Sequence, residues 1–228
     1  SEPIPAGEGR TKSSGTSTVV DFGNVLMASR GLTGLIRSVN RRDPVILYDQ
    51  FCIATGDVME TKAILEDAFD RIKGGVHRVT GGLNAADLGY RPDTDANSIG
   101  WLVWHLTRVQ DHHVSEIAGA SQAWLDFDWP ARFGLDLDPD NTGYGHSSEQ
   151  VGRFVPESAQ LLQDYYDQVH QRTLRYLDGI TPAELGRVID TRWDPPVTVG
   201  VRLVSVIGDD LQHIGQAAYV RGLLERRS

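Results

Sequence analysis

Asp209 and His213 stand four residues apart in the stretch Arg202 to Gly222, RLVSVIGDDLQHIGQAAYVRG. On a helix that spacing puts a carboxylate and an imidazole one turn from each other on the same side, where both can reach one cation. Gln216 carries the line a further turn. The same spacing also describes a solvated charge pair worth only about a few tenths of a kcal/mol. Two ligands are too few for a stable zinc site, so a metal centre would need a third from elsewhere in the chain. His105 sits between Trp104 and Leu106, and an imidazole in such company needs a polar partner. For that residue alone, a core histidine bonded to a carbonyl is the simplest account. His112 and His113, with Asp111, read as a solvated turn, His77 as an exposed imidazole and His146 as a loop residue. Cys52 lies in no recognisable nucleophile motif and reads as a buried or incidental thiol.

The elements that would position these groups follow from periodicity. In the last stretch, Leu203, Val206, Ile207, Leu211, Ile214, Ala218 and Leu223 recur three or four apart and predict an amphipathic helix. Gly208 and Gly215 lie inside it, each costing about 1 kcal/mol against alanine, which a closely approaching backbone or ligand would explain. Asp57 to Leu83 carries Met59, Ala63, Ile64, Phe69, Ile72, Val76 and Val79 at helical spacing, and Gly81-Gly82 closes it. A second helix begins after Asn97 or Ser98 and buries Ile99, Leu102, Leu106, Val109 and Ile117. A third runs from Pro156, suited to a first helical position, to Leu177, with Gly179 as its stop. Between the second and third lie residues 119–156, rich in Asp, Gly and Pro, a long connection of the kind that often covers a site. Ser147 and Gln150 in it have the spacing of a capping box. Thr181-Pro182 starts a short turn, and residues 188–200 form an extended lead into the last helix, with no convincing strand pair. The expectation is an all-α four-helix bundle with one long crossover, its site built from inward-facing side chains.

The chain has 228 residues, 40% of them hydrophobic, enough for one domain with a tail. Net charge of -9 and a pI near 5.2 argue against nucleic acid or an anionic membrane as the main partner. No apolar run is long enough to span a bilayer. A lone cysteine excludes an intramolecular disulfide and fits a reducing cytoplasm. Residues 1–18 are Ser, Gly and Pro rich and are expected to be disordered. Residues 19–56 show no sustained period, so residues 1–56 are set apart as an irregular N-terminal extension and 57–228 as the bundle domain.

Three phrases together, SIGWLVWHLTRVQD at 98–111, GYGHSSEQV at 143–151 and DDLQHIGQAAYVRGL at 209–223, resemble the DinB/YfiT-like superfamily of four-helix metal-binding proteins. The likeness is strongest to its actinobacterial mycothiol-dependent branch and covers residues 57–226. It implies that His105, Asp209 and His213 hold a divalent metal: zinc, with nickel, iron or manganese as alternatives. Asp209 stands where many members have His, although the maleylpyruvate isomerase branch has a carboxylate there. Three mixed N and O ligands leave a coordination position open, the arrangement of a catalytic rather than a structural zinc. The resemblance further implies a mycothiol-like thiol attacking a small electrophile, with Gln216 and Trp104 as pocket groups and the long loop, through Trp124, Trp129 and Tyr144, closing over the substrate. The expected activity is a metal-dependent thiol S-transferase or isomerase, with a homodimer left open. The alternatives are a hydrolase using metal-bound water and a non-catalytic stress-response or binding module on the same fold.

Overall fold

The computed structural model describes residues 60–135, 138 and 140–227. The expected disorder of residues 1–18, the arm over 19–56 and Cys52 lie outside the described residues. In chain order the elements are α1 (Thr61–Thr80), α2 (Ala85–Leu88), α3 (Ile99–Ala118), α4 (Ala123–Asp126), α5 (Trp129–Phe133), α6 (Ser148–Arg153), α7 (Ala159–Asp178), α8 (Pro182–Leu185), β1 (Val188–Asp190), β2 (Val197–Thr198) and α9 (Val199–Glu225). The long helices α1, α3, α7 and α9 make the bundle. Both α1 and α3 pack against α7 and α9, so α1 faces α3 across the core. The all-α expectation holds, with one addition. The lead-in to α9 forms a small antiparallel ribbon, Val188 opposite Thr198 and Asp190 opposite Val197, which the missing apolar alternation concealed.

Three of the four long helices start on a side-chain cap. Ser98 accepts from the Trp101 N–H, Ser158 from Leu161 and Thr198 from Val201, each satisfying an otherwise orphaned donor. α7 therefore begins after Ser158; Pro156 lies outside it, packed against Gly100. α3 ends in a left-handed Gly119. The Ser147/Gln150 capping box is present at α6.

The core draws Phe69, Ile72 and Val76 from α1, Leu102 and Leu106 from α3, Leu162 and Val169 from α7, and Leu203, Val206 and Ile214 from α9. α1 and α9 approach so closely that a Cβ on Gly75 would stand 2.8 Å from Ile214 Cγ2. α3 is buried on nearly every side, because the crossover packs its aromatic residues onto the face the bundle leaves open. Trp124 and Trp129, expected to close over a substrate, are instead core residues against Tyr165, Trp104 and Phe133. On α9 the buried line is Val199, Leu203, Val206, Asp210, Ile214, Ala217 and Val220. Leu211 and Ala218, expected on that line, face outward.

Candidate metal centre

α3 packs more extensively against α9 than any other pair of elements, and that contact brings His105 to Asp209 and His213. One ligand atom from each of the three lies within 4.8 Å of the others. The His105 and His213 rings meet edge to face with centroids 4.7 Å apart.

The ring nitrogens are directed by the backbone. His105 Nδ1 donates to the Thr142 carbonyl at 2.5 Å, and His213 Nδ1 donates to the Asp209 carbonyl at 2.8 Å. Each imidazole is thereby left with Nε2 as its free lone pair, the usual division of labour in a metal-ligating histidine. Asp209 Oδ2 lies 3.4 Å from His213 Nδ1, but that N–H is aimed at the carbonyl, and the buried oxygen accepts no hydrogen bond among the described residues. An orphaned carboxylate oxygen and two imidazoles that each keep Nε2 free make a donor set that fits a divalent cation of the zinc type.

Burial holds the His105 pKa below its ordinary value, with the Thr142 carbonyl working against that effect. Burial pushes His213 the same way, but the nearby Asp209 carboxylate, helped by the Asp209 carbonyl, outweighs burial and raises it. Burial acts to raise Asp209, and the imidazoles, His213 first, bring it below the ordinary carboxylate value.

The crossover supplies the carbonyl that orients His105 and is itself tied to α3. His146 Nδ1 accepts from Trp101 Nε1 at 3.2 Å while its Nε2 donates to Asn141 Oδ1 at 3.0 Å. Asn141 Oδ1 also accepts from the Gly143 N–H. Gly143 has a φ of 91°, and a Cβ there would stand 2.8 Å from Trp104 and 3.1 Å from His105 Nδ1. Glycine is therefore what lets the loop lie flat on the site. Beneath it, Arg108 donates to the Asn141 carbonyl and Gln122, and lies 4.7 Å over the Trp124 ring. Asp111 accepts from the Ala123 and Trp124 N–H groups and from the Tyr165 hydroxyl.

Asp111 thus corrects the expected solvated turn: it is 1% exposed and anchors the crossover. His77, read as an exposed imidazole, has a side chain 37% exposed and pairs with a neighbouring helix, its Nε2 lying 2.8 Å from Asp167 Oδ1. His112, His113 and Glu116 form a second close group, but Arg202 donates to His113 at 2.6 Å and to Glu116 at 3.1 Å, so a guanidinium already supplies positive charge there.

A cleft of about 480 Å³ opens onto the centre, lined by His105, Val109, His112, His113, Asp140 to Thr142, Tyr144 and Asp209. Tyr144 stands almost fully exposed at its mouth. Trp104 is fully buried beside His105, and Gln216 is exposed on a different groove with Asn97 and Leu223. Asp210, next to Asp209 in sequence, points the other way. Both its carboxyl oxygens are buried without partners, and burial pushes its pKa well above the ordinary range. Its position between Val206 and Ile214 on the apolar line is the signal that would have found it.

A profile of the DinB superfamily matches residues 68–217, more than half of the chain. The chain belongs to the DinB superfamily. Among solved structures it is similar to a conserved protein from Enterococcus faecalis, with 34% sequence identity and a TM-score of 0.67 over 72% of this chain and 96% of that one. No curated protein matches. In this DinB-superfamily chain the matched span contains His105, Asp209 and His213, together with the crossover that orients His105. Among the described residues no helix is long and apolar enough to cross a membrane.

Proposed function

We propose that this DinB-superfamily protein is a divalent-metal-dependent thiol S-transferase. The observation that carries the reading is the convergence of His105, Asp209 and His213 beside an open cleft, with both imidazoles keeping Nε2 free. Zinc suits the donor set, and a cation held there would favour the ionised form of an incoming thiol at neutral pH.

The residues of the chain do the rest. Thr142 and the Asp209 carbonyl hold the two rings in register. Val109 offers the cleft an apolar wall, while His112, Asn141 and Tyr144 offer polar contacts. The volume suits a small molecule rather than a macromolecule. In the transfer, the thiol loses its proton to solvent and its sulfur forms a bond to an electrophilic carbon, as the leaving group departs with the bonding pair. The resemblance to the mycothiol-dependent branch supports a small sugar-linked thiol as the donor and a cytoplasmic setting.

Two measurements test this. Elemental analysis of protein purified without a polyhistidine tag should find about one equivalent of a divalent metal, and less than about a tenth would remove the centre. Incubation with mycothiol and a panel of electrophiles should then yield conjugate only when both are present. Product from the electrophile alone would replace the transferase with a hydrolase.

A further inference from the structure

The outward face of α9 carries a second pattern, one that the metal centre does not use. Val201, Val204, Gly208, Leu211, Gly215, Ala218 and Gly222 alternate spacings of three and four along the 27-residue helix, the seam of a coiled coil. Val201, Val204 and Leu211 are 51%, 65% and 46% exposed, unusual for large apolar side chains on a surface helix. The flanking outward positions, Ser205, Gln212, Gln216 and Tyr219, are also uncharged. From Val201 to Gly222 the exposed face therefore bears no charge, in a chain whose net charge is -9. Exposed positions of α1 and α7, by contrast, include Asp70, Arg71, Arg78, Asp164 and Arg175. Around Gly208 and Gly215, apart from the chain neighbours and the adjacent backbone of α9 itself, no described atom lies within 4 Å of where a Cβ would stand. The close neighbour that would justify glycine in a helix is missing from the described residues.

We propose that the occupant of this face is a second copy of the chain, with the two α9 helices packed antiparallel about a two-fold axis between Asp209 and Asp210. In that register each bulky residue meets a small one of the other copy: Val201 meets Ala218, Val204 meets Gly215, and Leu211 meets Gly208. The seam is thus complementary to itself, as a two-fold interface requires. Two acidic molecules can meet here because this strip brings no charge into the contact. A contact about 30 Å long between two helices buries on the order of 600 Å² per copy, the lower range for a stable dimer. Asp209 and His213 lie off this seam, on the side of α9 turned toward His105 of α3, so both clefts stay open.

Sedimentation of the full chain should show a dimer at micromolar concentration. Leu211→Glu should weaken it roughly a hundredfold or more while leaving far-UV circular dichroism and metal content unchanged. In a Cys52→Ser background, the Val201→Cys, Ala218→Cys double variant should form covalent dimers on oxidation, and Val201→Cys alone should not. A full chain that stays monomeric at about 100 μM, as it would if its own N-terminal residues covered the face, overturns the proposal. A dimer untouched by Leu211→Glu, or cross-linked through Val201→Cys alone, overturns it equally. The association and cross-linking outcomes do not depend on the metal or the thiol.

Discussion

Replacing His213 by alanine removes an imidazole whose partner groups stay in place, so the loss should fall on the cation and not on the helix. Metal affinity should drop by more than the roughly 10–100-fold typical of outer partners, with helical content unchanged, as read by isothermal titration and circular dichroism. Gly143→Ala acts one step further out. Its Cβ would press on Trp104 and His105, and a φ of 91° strains any side chain there. Stability should fall by about 1–3 kcal/mol, and metal affinity by roughly 10-fold or more as the Thr142 carbonyl is displaced. Unchanged affinity would mean that the loop does not orient His105. Asp111→Ala should cost about 3–5 kcal/mol in urea unfolding, because it strips the buried Arg108 charge of its carboxylate along with three hydrogen bonds. The Asp209/His213 pair was legible from spacing, but Thr142 acts through its carbonyl, which leaves no mark in residue type, and Gly143 shows only as one glycine among several in a Gly-rich loop until its φ of 91° and its approach to His105 are seen. Asp111 was misread because a carboxylate beside two histidines looks solvated unless the helix is known to be covered on both sides.

At the level of elements, what could be read depended on how many faces each helix buries. α1 and α7, with one buried face apiece, showed their period plainly, although Ile64 proved exposed and Leu65 buried. α3, enclosed by the bundle and the crossover, has no polar face to set its phase. The crossover carries several very short helices, and its fold is set by contacts with α3 and α7 that lie far away in sequence. On α9 two apolar lines coexist, so a single stripe drawn through them mixes core residues with outward ones. The join between α7, α8 and α3 rests on polar clips. Glu184 accepts from Tyr176 and Arg187, and Arg187 reaches the Ile117 carbonyl. Arg187, with Tyr176, holds the Glu184 pKa at about 2, below its ordinary 4.5. A depressed carboxylate stabilises fully above its unfolded value and loses that contribution as pH falls through the folded one. Wild type should therefore exceed Glu184→Gln in denaturant midpoint at pH 7, with the gap closing between about pH 4.5 and 2. A gap independent of pH would show that the carboxylate's charge contributes nothing.

For the whole molecule the decisive point is that α3 and α9 are packed together by apolar burial before any cation is considered. Leu102, Leu106, Leu203 and Val206 are all within 1% of complete burial, and they hold the two helices in contact without help from the ligands between them. A cation at the centre then adds only its binding free energy, about 2.7 kcal/mol at a hundred times its dissociation constant. For a bundle of this size that corresponds to a rise in Tm of roughly 5–10 °C. Chelation should therefore lower the melting temperature by that amount, in one cooperative transition and with the far-UV spectrum at 25 °C unaltered. A centre that shaped the fold would behave differently, because removing its ion would take the helices with it. Calorimetry of metal-loaded and chelator-treated protein, side by side, separates the two: loss of helix on chelation would make the site structural, and a vacant coordination position for a thiol would then have no basis.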